Sequence, residues 1–140
     1  MDDLVRWLGE QLDTEAEQAG SAAEELGPDW HYDGQYVRAR REDDMVVTGS
    51  QDFLEAERGR FIARHDPARV LREIDAKRRI AEIHQVVGGF EDEDMTDLGP
   101  GCSECGYSAE YGDRGGWCET LRLLAAPYAD RPGFRKEWRP

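Results

Sequence analysis

The chain has 140 residues, 35% of them charged, with a formal net charge of −13 and a mean hydropathy of −0.80. That length holds one hydrophobic core, and a core so diluted by charge gains from a staple. No apolar run is long enough to span a membrane and no targeting signal is visible; with reduced cysteines, the expected location is cytoplasmic.

The charge is uneven along the chain. Residues 1–33 carry ten acids against Arg6 alone, and residues 91–113 carry eight acids and no Lys or Arg. Between them, residues 58–79 hold eight basic groups against three acids. Internal complementarity between the acidic N-terminal helix and a basic central helix is one reading. Solvated charged faces are the plainer one. A field of this sign disfavours direct binding to nucleic acid.

The expected fold is a single domain over 1–140, mainly α with a small β-hairpin. Its helices pack around one long central helix, and a structural zinc staples the C-terminal part. Residues 1–26 read as a helix, with Leu4, Trp7, Leu8, Leu12 and Ala16 as the stripe and Gly27-Pro28 as its stop. Residues 29–48 change period. Tyr36 to Ala39 and Met45 to Val47 are short strand-like runs around the charged turn 40–44, and Asp33-Gly34 allows a third strand at Trp30-His31-Tyr32.

Residues 52–87 read as two helices broken at His65-Asp66-Pro67. The first places Phe53, Leu54, Phe61 and Ile62 on its apolar side. In the second, Asp66 is the N-cap and Pro67 takes the first helical position, where a missing N–H costs nothing. Val70, Leu71, Ile74, Ile80, Ile83 and Val87 make one stripe, and Gly88-Gly89 ends the helix. Residues 88–140 follow as a loop, a metal knuckle and a C-terminal helix and tail. Leu121, Leu123, Leu124 and Ala125 form that helix's apolar side, and Phe134 and Trp138 anchor the tail.

The knuckle carries the chemistry. Cys102-Ser103-Glu104-Cys105-Gly106 places two thiolates where both can face one ion, with a glycine to turn backbone amides toward the sulfurs. Cys118 returns behind Gly112, Gly115 and Gly116. A closed structural zinc site takes four ligands, so one is missing. His84 at the end of the long helix is the candidate, and His65, His31 and Glu119 compete for the place. A redox pair fits less well, since nothing strand-like precedes Cys102. Three cysteines also leave an odd one in any disulfide scheme.

Two segments resemble an uncharacterised family of small proteins common in actinobacteria such as Streptomyces and in their phages. They are Phe61-Ile62-Ala63-Arg64-His65-Asp66-Pro67-Ala68-Arg69-Val70-Leu71-Arg72-Glu73, and Thr120 to Ala125 continuing through Pro127-Tyr128-Ala129-Asp130 to Trp138. Phe61 and Arg131 stand where that pattern often has histidine, which makes both positions poor metal-ligand candidates. The family is a domain of unknown function, so the resemblance implies a setting and no activity.

No enzyme motif is complete. A zinc deaminase needs H-x-E upstream of P-C-x-x-C, but Gln85-Val86 follow His84 and Gly101 separates Pro100 from Cys102. H-E-x-x-H, a Walker loop and G-x-S-x-G are absent too. The expectation is a non-enzymatic, zinc-stapled adaptor or regulator that binds another protein. An acidic inhibitor that mimics DNA toward a DNA-binding protein is the alternative, and a zinc enzyme ranks below both.

Overall fold

Asp2 starts the first helix, α1 (Asp3–Ala23), as an N-cap: its Oδ1 accepts the N–H groups of Leu4 and Val5 at 2.9 and 3.2 Å. The helix ends when the Gly27 N–H bonds to the Ala23 carbonyl at 2.8 Å with Gly27 at φ 84°, the left-handed geometry expected of that glycine. The computed structural model describes residues 2–39, 44–47 and 54–140. The expected turn residues 40–43, Thr48, and the helix start at Asp52 and Phe53 lie outside that range.

The remaining described elements are β1 (Trp30–Tyr32), β2 (Val37–Ala39), β3 (Met45–Val47), α2 (Ala56–Arg64), α3 (Pro67–Ile83), β4 (Val86–Glu91), β5 (Asp97–Cys102), α4 (Ala109–Asp113) and α5 (Glu119–Ala125). Single 3-10 turns follow at Ala126–Tyr128 and Lys136–Trp138. The class is α+β, with two small antiparallel sheets among the described residues rather than one hairpin. Residue contacts sort the chain into two units, Met1–Leu12 with Ala76–Pro140, and Asp13–Asp75, so the borders fall inside α1 and α3.

In the 13–75 unit, β1, β2 and β3 form a meander in that order, which includes the third strand expected at Trp30. Asp33 makes its first turn. Its Oδ1 accepts the N–H groups of Gln35 and Tyr36 at 2.8 and 2.7 Å, and its other oxygen pairs with Arg38. The Tyr36 N–H, then Arg38 and the Gln35 N–H, lower this carboxyl's pKa to about 2. Val37 and Ala39 are fully buried. The meander lies on α2, where Gly59 is buried under Tyr32; a Cβ at Gly59 would come within 2.3 Å of that ring. The Tyr32 hydroxyl donates to the Leu54 carbonyl at 2.9 Å.

The corner between α2 and α3 follows expectation. Asp66 Oδ1 accepts the Arg69 N–H at 2.9 Å, its Oδ2 accepts the Trp30 N–H at 3.0 Å, and Pro67 is the first helical residue. Two packing expectations fail. Phe61 is 65% exposed and stacks on His65 instead of entering a core, with ring centroids 4.2 Å apart. On α3, only Ile74 of the expected stripe is fully buried, while Leu71, Ile80 and Ile83 are exposed. Of the described helices, α1 contributes the most buried apolar residues, Leu4, Trp7, Leu8, Leu12 and Ala19.

In the other unit, Leu4, Trp7, Leu8 and Leu12 bury one face of α1 at helical spacing. Trp7 meets Phe134 and Trp138 at ring-centroid distances of 5.6 and 5.4 Å, and its Nε1–H donates to the Pro132 carbonyl at 3.0 Å. Trp117 closes the same cluster against Trp138, and its Nε1–H donates to Asp2 Oδ1 at 2.7 Å. The late aromatics therefore tie down the tail as expected.

A second difference shapes the metal centre. The long helix stops at Ile83, short of Val87, and Val86–Glu91 is a strand paired with Asp97–Cys102. Gly88 and Gly89 sit at a register shift between Val87 and Phe90. Gly89 has φ 87°, so the conformational freedom read as a helix cap serves a bulge. The expected loop is a hairpin, and a strand does precede Cys102.

Candidate metal centre

The hairpin returns Cys102 to the end of α3. Val86 pairs with Cys102 and Val87 with Gly101. Ser103 then clips the knuckle to the helix end. Its Oγ donates to the Ile83 carbonyl at 2.8 Å and accepts the Gln85 N–H at 3.0 Å, while its own N–H donates to the Gln85 carbonyl at 2.8 Å. His84 lies between the two residues that Ser103 holds, and its N–H still bonds to the Ile80 carbonyl at 3.1 Å.

The knuckle turns as its glycine suggests. Gly106 has φ 84° and exchanges backbone bonds with Cys102 at 2.9 Å each way, and the Cys105 N–H donates to Cys102 Sγ at 3.4 Å. Cys118 takes the N-cap position of α5, where the Leu121 N–H faces its sulfur. Gly116 makes that return possible. At φ 85°, its Cβ would lie 2.7 Å from Val86 Cγ1 and 2.9 Å from Pro100 Cβ, so glycine alone fits against the hairpin.

These three segments bring His84, Cys102, Cys105 and Cys118 together, with all four ligand atoms within 4.8 Å of one another. His84 Nδ1 lies 3.5, 3.4 and 3.7 Å from the sulfurs of Cys102, Cys105 and Cys118. One imidazole nitrogen cannot satisfy three thiols, since it carries a single proton or a single lone pair. Three sulfurs gathered about one nitrogen suit a shared cation. Cys102 and Cys118 are buried, Cys105 is exposed, and none of the three is in a disulfide.

The thiols also repel common ionisation. Although Cys105 is exposed as a residue, desolvation of its thiol raises it, and the neighbouring Cys102 and Cys118 add to this, to about 12. Burial likewise pushes Cys118 up. Burial acts upward on Cys102 too, but the N–H groups of Cys105 and Glu104 and the adjacent thiols outweigh it, and Cys102 moves down. Burial first, then the charge on Cys105 and Cys118, raises the nearby Tyr111 phenol. A divalent ion among the sulfurs would oppose this repulsion and favour all three thiolates.

The competing ligands lie elsewhere. His65 caps α2, with Nδ1 2.7 Å from the Phe61 carbonyl, and His31 is in β1. Glu119 is the exposed first residue of α5. Arg131 covers the Tyr128 ring at 5.2 Å.

Two residues of the site went unread in the sequence. Ser103 is one, and nothing in its pattern announces the bonds it makes. Arg122 is the other, in a helix whose face is turned from the expected one: Leu123 is 53% exposed and Arg122 only 1%. The guanidinium donates to the carbonyls of Trp117 and Arg139 at 3.2 and 3.3 Å and to Glu110 Oε1 at 2.8 Å. It thereby ties α4, the segment before Cys118 and the tail to α5.

Ser103→Ala should lower metal affinity about tenfold, because outer bonds that orient ligands are typically worth 10–100-fold. Competition with a chromogenic chelator measures this. An affinity unchanged within about twofold would show that the knuckle holds its place without the hydroxyl.

Fold and site together define a small α+β protein with a His/Cys3 cluster able to hold a metal ion. The chain belongs to DUF6221, a family of unknown function, whose model matches residues 1–140. No curated protein and no solved structure matches it. Among the described residues, no helix is long and apolar enough to cross a membrane.

Proposed function

We propose that the cluster is a closed structural zinc site and that the protein acts by binding another protein, without turnover of its own. The observation that carries the zinc assignment is the set of distances around His84. A tetrahedron with Zn–S of about 2.3 Å and Zn–N of about 2.0–2.1 Å has N···S edges of about 3.5 Å. The distances from Nδ1 to the sulfurs are 3.4, 3.5 and 3.7 Å. Four protein ligands fill zinc's usual coordination and leave no position for water or substrate, which is the arrangement of structural rather than catalytic sites.

The hairpin supports the binding half of the proposal. Asp92 Oδ1 accepts the N–H groups of Asp94 and Thr96 at 2.9 Å each, fixing the turn from within. Glu91, Asp92, Glu93 and Asp94 are all exposed there, beside Met95 at 75% exposure. An ordered acidic tip bearing one flexible apolar side chain suits a partner with a basic rim around a small hydrophobic recess. The same charge array favours a second reading, an acidic inhibitor that occupies the nucleic-acid surface of a DNA-binding protein. The actinobacterial or phage setting implied by the sequence resemblance accommodates either.

The test is a salt series on a captured partner. Association should slow as salt rises from about 50 to 300 mM, because screening shortens the Debye length. Neutralising Glu91, Glu93 and Asp94 together should slow it similarly, leaving the turn-forming Asp92 in place. A rate indifferent to both changes would refute the acidic-tip mechanism. Tight binding of duplex DNA by the purified protein would refute the protein-partner reading.

A further inference from the structure

We propose that the 13–75 unit carries a binding site for a phosphate monoester, formed by Arg60 and Arg64 of α2 over the aromatic strand β1. A cavity of about 240 Å³ opens there, lined by Trp30, His31, Tyr32, Arg60, Ala63 and Arg64. Residues 60 and 64 are one helical turn apart, so both guanidinium groups belong to the same face of α2.

What is satisfied in this cavity defines its ligand. The Trp30 indole N–H is taken by the Gly27 carbonyl at 3.1 Å, and the Tyr32 hydroxyl by the Leu54 carbonyl. Their rings contribute apolar wall. The unused polar groups are the two exposed guanidinium groups, which form no side-chain ion pair or hydrogen bond among the described residues. No carboxylate lines the cavity among the described residues. In a chain with 31 acids and 18 basic residues, two neighbouring arginines with no carboxylate beside them in the cavity lining among the described residues form a distinctive arrangement.

Two guanidinium forks offer more donors than one planar carboxylate can accept, whereas the three terminal oxygens of a phosphate monoester can take paired bonds from both. Trp30 and Tyr32 would then face the organic group that carries the phosphate. This site is independent of the zinc assignment.

The probes are inorganic phosphate and phenyl phosphate, titrated into the 140-residue protein as purified against sodium chloride of equal ionic strength. The readout is the arginine Nε–H resonances. Saturable shifts at Arg60 and Arg64 are expected for both anions, with phenyl phosphate tighter if the rings contact the ester. Equal affinities would confine the site to the phosphate itself and still support it. Arg60→Gln with Arg64→Gln should weaken binding at least tenfold, a loss of about 1.4 kcal/mol or more. Arg58→Gln, which removes one positive charge from an exposed residue outside the cavity, should alter it less than about twofold, and so less than either Arg60→Gln or Arg64→Gln alone. Shifts matched by chloride, or equal losses from Arg58→Gln and the double variant, would overturn the proposal.

Discussion

Cys118→Ser should strip the protein of bound metal and loosen one unit while sparing the other. The substitution is selective because serine is itself a preferred N-cap, so the start of α5, which the Cys118 side chain does not cap, is not weakened while the ligand is lost. Each tenfold loss in metal affinity costs about 1.4 kcal/mol of stability in a loaded protein, so a thousandfold loss removes about 4 kcal/mol. The hairpin 86–102, α4 and α5 all meet at the cluster, so hydrogen exchange should rise from residue 84 to the tail. Protection should persist in the meander and α2, whose core is Val37, Ala39 and the Tyr32–Gly59 contact. Equal loss of protection in both units would show that the ion supports the entire fold. His84→Ala distinguishes ligand from helix cap: a ligand's loss lowers metal affinity by orders of magnitude, whereas a lost cap costs about 1 kcal/mol and leaves metal content intact.

Arg122→Met should be nearly as damaging, by about 2–4 kcal/mol. Replacing a whole buried ion pair by apolar groups is often neutral, but here the partners differ in kind. Glu110 is 57% exposed and can return to water, whereas the Trp117 carbonyl loses a donor that methionine cannot replace and the Arg139 carbonyl is left with its 2.7 Å bond from Arg114 alone. The penalty therefore falls on the join between the Cys118 segment and the tail. Urea unfolding with a tryptophan signal reads it directly, because Trp7, Trp117 and Trp138 share the adjoining cluster. A change below about 0.5 kcal/mol would mean that those carbonyls find other donors at no cost.

Local signals in the sequence were legible, and long-range ones were not. Asp66 and Pro67 specify a helix start through bonds within three residues, and the structure makes those bonds. Cys102 and Cys105 announce a knuckle by spacing, and His84 joins them because the helix end places it there. Gly88-Gly89 misled because positive φ serves a helix cap and a strand bulge equally, and only pairing with 97–102 decides between them. The α3 stripe predicted the helix as far as Ile83 but neither its end nor its burial, since periodicity shows which face is apolar without supplying a neighbour. For Arg122, the three flanking leucines suggested a face that the structure rotates, because two backbone carbonyls and a glutamate distant in sequence hold the guanidinium inside.

Metal analysis of protein purified without added zinc decides whether His84, Cys102, Cys105 and Cys118 hold a resident ion. About one equivalent of zinc per chain is expected, retained through dialysis and released by thiol-specific reagents together with reactivity of Cys102, Cys105 and Cys118, because a structural site binds with free energies of about 10–16 kcal/mol. Less than about a tenth of an equivalent, with three thiols reacting at the rate of free cysteine, would contradict it.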